Sequence, residues 1–247
     1  MSTSVLRGNH PGVPYPGEVT TPPAVPTDRH NLPKPILRGR LHQVAFFAAI
    51  PAGVLLISQA PNGTSRAAAI VYGLSLIALF GASALYHRGN WAPHMIPRLR
   101  RLDHSMIFVL IAGTYTPFCL LALPSPWSWV FLGIAWTGAI AGITLKLLKI
   151  DGFQRTSGAL YIALGWVIVF AGPLMVSRLT GPVMALMAVG GLLYTVGAVV
   201  LATNRPNPSP RWFGYHEIWH TFTVAAGACH YVAVLLLFGL VARNTVG

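Results

Sequence analysis

The chain has 247 residues, of which 54% are hydrophobic and 9% charged, with a formal net charge of +12. That apolar surplus exceeds what a soluble domain buries in one core and must face lipid. The 17 Lys and Arg sit in short gaps between long apolar runs rather than on one polar face, which argues against a nucleic-acid partner and makes them markers of membrane topology.

Residues 1–40 hold eight prolines and no apolar run that could serve as a signal-peptide core, so they are expected to be a disordered cytoplasmic tail ahead of a membrane domain over 41–247. A hydrocarbon layer of ~30 Å takes about 20 residues of helix to cross. Runs of that kind fall near 41–59, 67–87, 104–123, 127–148, 156–177, 182–202 and 217–242. They predict an all-α fold, a seven-helix transmembrane bundle. Pro51, Pro117 and Pro173 lie inside runs and should kink them, with the freed carbonyls answered by neighbouring helices or by hydroxyls such as Thr114 and Thr116. Trp127, Trp129, Trp166, Trp212 and Trp219 lie close to run ends, where an amphipathic ring prefers the headgroup level. Gly138 and Gly142 give the fourth helix a small-residue face, read as ordinary helix packing. Cys119 and Cys229 lie far apart inside apolar runs and read as small packed hydrophobes. No internal repeat suggests an inverted-repeat transporter.

Basic residues divide unevenly between the two sides. The tail, second, fourth and sixth connections carry fourteen of them, from Arg7 to Arg211, whereas the other side holds only Arg66, Arg178 and Arg243. The positive-inside rule then places the N-terminus in the cytoplasm and the C-terminus outside, in the plasma membrane.

Ionisable groups at membrane depth are costly and mark function. Three places stand out: Ser83-Ala-Leu-Tyr-His87 closing the second helix, Asp103-His104-Ser105 opening the third, and His216-Glu217-Ile-Trp-His220 opening the seventh. The topology brings all three to the cytoplasmic end, although none of them entered the charge count. His216 and His220, four apart, project from one helix face with Cβ atoms about 6 Å apart, close enough to share a metal ion. With His87 they offer three imidazoles, one fewer than a structural zinc site needs, which leaves a tetrahedral position open for water. Three neutral donors keep the metal's charge intact, and that charge lowers the pKa of bound water towards ~7. Asp103 is placed to act as general base, and Ser83, one turn before His87 on the same face, to orient water or substrate. Simpler roles exist for each: a lone helix-end histidine commonly snorkels, and an Asp in a first turn is commonly held by the helix dipole. His42, His94 and His104 have no same-face partner at ligand spacing. His230, ten residues and about 15 Å beyond His220, reads as an interhelical hydrogen-bonding residue.

Together the stretches Ser83-Ala-Leu-Tyr-His87, Asp103-His-Ser-Met-Ile-Phe with Ile111-Ala-Gly-Thr-Tyr-Thr-Pro117, and His216-Glu-Ile-Trp-His220 resemble the progestin and adipoQ receptor superfamily, in particular its bacterial hemolysin III branch. The resemblance runs from about Leu37 to the C-terminus. It implies a seven-helix bundle holding zinc near the cytoplasmic face through His87, His216 and His220, with Ser83 and Asp103 beside the metal-bound water. The related eukaryotic receptors look like ceramidase-type amide hydrolases acting on lipids. The chain departs from the branch at its first helix, where an acidic residue and an Ala-x-x-His-Gly pattern are replaced by Leu37-Arg-Gly-Arg-Leu-His42.

Four functions compete. A zinc-dependent hydrolase of a lipid amide or ester would draw its substrate sideways from the inner leaflet. An intramembrane metalloprotease is suggested by His216-Glu217-x-x-His220, with Glu217 as base, although the motif stands late in the chain where such proteases carry it early. A non-enzymatic membrane sensor would use zinc structurally. A cytolysin or pore would need polar residues along the full membrane thickness, whereas only the cytoplasmic third is polar. Membrane lipids are the expected partners, and the oligomeric state is left open.

Overall fold

A computed structural model describes residues 34–148 and 154–246. The proline-rich stretch before residue 34 lies outside them. Seven helical crossings are long and apolar enough to span a membrane, as the apolar runs predict, and no β-strand occurs among the described residues. They are α1 (Arg40–Ser58), α2 (Gly63–Arg88), α3 (Ile96–Ala122), α4 (Trp127–Leu148), a broken fifth crossing, α7 (Gly181–Thr203) and α8 (Tyr215–Val246). Local chemistry sets several ends. The Asn62 side chain accepts the Ser65 amide at 2.9 Å and caps α2. Pro97 and Pro182 stand in the first turns of α3 and α7, and Asn204, in the left-handed conformation, ends α7.

Two elements differ from expectation. Helix α3 begins at Ile96, eight residues before its apolar run, so Arg98, Arg100 and Arg101 lie on helix rather than in a connection. Hydropathy detects the membrane-spanning part of a helix, whereas the hydrogen-bonded ladder continues into the headgroup layer. Asp103 is therefore two turns inside α3. The fifth crossing is α5 (Gln154–Trp166), a 3₁₀ stretch (Val167–Ala171) and α6 (Gly172–Val176). Pro173 cannot donate the i to i−4 bond, and Tyr115 of α3 braces the break. Its hydroxyl accepts from the Ile168 amide at 2.7 Å and donates to the Leu164 carbonyl at 2.7 Å. Near Pro117, Thr114 and Thr116 donate to Leu110 and Ala112, not to Gly113, whose carbonyl the proline leaves without its donor. Trp166 lies mid-crossing rather than at an end, its indole donating to Thr195 Oγ1 at 3.0 Å.

Helices α1 to α4 pack in sequence, α7 packs on α8, and α8 closes against α1 and α3. The core lies among α1, α2, α3 and α8, where Leu56, Tyr72, Phe108, Phe118 and Leu237 are buried. Gly142 of α4 meets the Phe108 ring and Gly138 meets Leu164, so the small-residue face is used within the chain. Helix α3 is the most enclosed crossing, 61% of its apolar window being buried, against 11% for the fifth. The C-terminal end of α2 and the N-terminal ends of α3 and α8 share one end of this tight part of the bundle.

Candidate metal centre

The three predicted ligands converge. One ring nitrogen from each of His87, His216 and His220 can be chosen so that all lie within 4.8 Å of one another, and Nε2 of His87 and of His216 are 3.2 Å apart. At that spacing two nitrogens either share a proton or face a common cation. Tetrahedral zinc with Zn–N bonds of ~2.0–2.1 Å holds its nitrogens about 3.4 Å apart, so this pair already has nearly the required separation, and the His220 nitrogen lies within 4.8 Å of both. The donor set is purely imidazole. Both cysteines are free and lie elsewhere, Cys119 in α3 and Cys229 beyond the second turn of α8. The residues fit a zinc or similar borderline cation with an open position.

Asp103 and Ser83 flank the cluster. An Asp103 carboxylate oxygen lies 3.7 Å from His87 Nε2, longer than a hydrogen bond, and Asp103 falls outside the mutually close ligand set. The Ser83 side chain is hydrogen-bonded to Asp103. Both residues are buried. This is the placement expected of a group beside the cation rather than on it. His230, by contrast, faces the Met187 carbonyl of α7 at 3.3 Å and the Tyr194 ring, an interhelical contact remote from the cluster.

Two residues beside the cluster make contacts that spacing along a helix does not report. His42 of α1 has no same-face partner in its own helix, yet its ring stacks on His220 at 3.7 Å between centroids and 11° between planes. It is buried, and neither ring nitrogen has a hydrogen-bond partner. Periodicity within one helix cannot reveal a contact made across helices. Glu217, a quarter-turn and more from His216, faces neither solvent nor headgroups. It is fully buried, accepts from Arg38 Nε at 2.5 Å and from the Gly214 amide at 2.8 Å. That engagement removes Glu217 from the role of base that the protease pattern requires.

Arg38 belongs to a short segment that straps this end of the bundle. Ile36 and Leu37 donate backbone hydrogen bonds to the Arg211 and Trp212 carbonyls. At Gly39 the backbone has φ of +77°, and an added Cβ would lie 2.6 Å from His87 Cβ. Only glycine suits both the left-handed conformation and this approach to His87.

A sequence profile described as haemolysin-III related matches residues 30–231, a span that includes every residue of the centre. The chain belongs to that family. Among the relatives of this haemolysin-III-related protein, hemolysin-3 of Bacillus cereus is 38% identical over 197 residues, 78% of this chain and 87% of that protein. The hemolysin-3 homolog of Bacillus subtilis (strain 168) is 32% identical over 199 residues, 78% of this chain and 89% of that one. The human monocyte to macrophage differentiation factor is 25% identical over 198 residues, 78% and 79% of the two chains. The haemolysin-III-related protein thus has the multi-pass helical architecture that the apolar runs predict. Its Arg38-Gly39-Arg40-Leu41-His42 departure is no loose terminus, because Arg38, Gly39 and His42 all press on the histidine cluster or on Glu217 beside it.

Proposed function

We propose that the protein is a zinc-dependent hydrolase of a lipid amide or ester, with its centre at the cytoplasmic face of the plasma membrane. The carrying observation is the convergence of His87, His216 and His220 with a buried Asp103–Ser83 pair alongside. His87, His216 and His220 would hold the ion as neutral donors. A zinc ion held there would supply a Lewis acid, lowering the pKa of a water beside it towards ~7. Asp103 takes a proton on its carboxylate as water attacks the acyl carbon and returns it to the departing amine or alkoxide. Ser83, through its hydrogen bond, holds the carboxylate in place. The His42 ring, stacked on His220, restrains the plane of that ring. The thinly covered fifth crossing is the natural side of entry for a chain-bearing substrate from the inner leaflet.

Turnover tests this reading. Purified protein in vesicles containing ceramide should release fatty acid, lose that activity to a zinc chelator and regain it when zinc is restored. Release that persists unchanged through chelation would contradict a metal-dependent reaction.

The orientation rests on the fourteen-to-three division of basic residues. A reporter active only in the cytoplasm should function when fused after Arg211 and fail when fused after Arg243. The opposite pattern would place the centre outside.

A second reading comes from the Bacillus relatives, whose names mark them as hemolysins. A cytolytic role would make the centre a structural element of a lytic assembly. Against it, the buried charged and imidazole side chains described here, Arg38, His42, Asp103, Lys146, Glu217 and His220, all belong to one end of the bundle. Leakage from dye-loaded vesicles that survives Asp103→Asn would favour lysis over hydrolysis.

A further inference from the structure

The strap ahead of α1 touches both helices that carry the histidine cluster. At one end Gly39 lies against α2, where an added Cβ would meet His87 Cβ at 2.6 Å and Arg88 Cγ at 3.3 Å. At the other, the Ile36 and Leu37 amides donate to the Arg211 and Trp212 carbonyls at 3.0 and 3.3 Å, just ahead of α8. Between these points Arg38 turns inward onto Glu217, which stands between His216 and His220 in the sequence of α8. A chain anchored at His87 and at the foot of α8 runs across the cluster that α2 and α8 hold. His220 is 2% exposed and the His87 side chain 5%, so both rings are closed off from solvent.

We propose that Pro35–Gly39 is a hinged cover over the aqueous mouth of the cluster, latched by Arg38 on Glu217, which swings away to admit a divalent cation to His87 and His220. Gly39, at the N-terminal end of α1 with φ of +77°, is the hinge. Glycine crosses readily between left-handed and other conformations, and hinges are commonly such element-terminal residues. The latch consists of polar, reversible contacts. It uses Oε1 of Glu217, while Oε2 accepts the Gly214 amide at 2.8 Å, so the start of α8 keeps its own hydrogen bond when the latch opens. Closed, the strap leaves the bilayer as the way in for a lipid and keeps bulk water from the centre. The cation rests on the metal reading above; the cover itself is tested on metal-free protein.

Metal-stripped full-length protein in detergent would be treated with diethylpyrocarbonate and carbethoxylation of each histidine followed by mass spectrometry. The exposed His94 is the standard for the reagent and His230, packed between α7 and α8, the monitor of general loosening. In wild type His87 and His220 should react far more slowly than His94. Glu217→Gln keeps an acceptor for the Gly214 amide but weakens the latch, and should speed both about tenfold with His230 unchanged. In Ile36→Cys with Arg211→Cys, oxidation to a disulfide should suppress reaction at His87 and His220 and reductant should restore it in the same sample, which a folding defect cannot imitate. Equal rates in the oxidised and reduced forms would overturn the cover. So would wild-type His87 and His220 reacting as fast as His94, unchanged rates in Glu217→Gln, or His230 rising in step with them. Wild type that binds no zinc would remove the cation and leave these outcomes as they are.

Discussion

Replacing Asp103 by Asn should leave the metal bound and lower hydrolysis by about 10²- to 10⁴-fold, the usual contribution of a positioned general base. The amide fills the same space and still accepts a hydrogen bond from Ser83, so the packing around His87 is kept. It cannot take a proton. The carboxylate lies 3.7 Å from His87 Nε2 and outside the mutually close ligand set, which separates loss of rate from loss of metal. Parallel measurement of zinc content and of fatty-acid release on the same preparation checks both halves. Zinc lost in Asp103→Asn would make Asp103 a ligand. A variant that keeps both zinc and full activity would remove the proposed base, and the structural-zinc regulator would then be the better description.

Arg38→Ala should destabilise the bundle by about 3–5 kcal/mol, the loss expected when one partner of a buried ion pair is removed. Glu217 is fully buried and would be left with only the Gly214 amide as donor. In thermal unfolding that corresponds to a drop in midpoint on the order of 10 °C. Replacing both partners, as Arg38→Met with Glu217→Leu, should recover much of the loss because no uncompensated charge remains, so the two single effects will not add. Additive losses would show that Arg38 and Glu217 act separately. Because the pair ties the strap before α1 to the first turn of α8, the single variants should also loosen His216 and His220.

The bundle was legible because lipid imposes a length on each apolar run, and all seven runs correspond to helices long and apolar enough to span a membrane. Ends were less legible. Helix α3 extends past its apolar run into Arg98, Arg100 and Arg101, and the fifth crossing breaks where Pro173 removes a donor. The i, i+4 spacing of His216 and His220, together with the shared end of α2 and α8, sufficed to bring His87 into the cluster. The packing of His42 and of Glu217 was not legible, for one physical reason. Spacing reports neighbours along a helix, whereas the stack of His42 on His220 and the pairing of Glu217 with Arg38 are contacts between segments far apart in the chain. The clue available was compositional: an arginine and a glycine before α1, opposite a lone acid in α8.

The central claim, that His87, His216 and His220 hold one metal ion, is tested most directly by metal analysis of detergent-purified protein. Wild type should carry about one zinc per chain, His87→Ala, His216→Ala and His220→Ala should each lose most of it, and His230→Ala should keep it. Stoichiometric zinc in all three site variants, or none in wild type, would contradict the assignment.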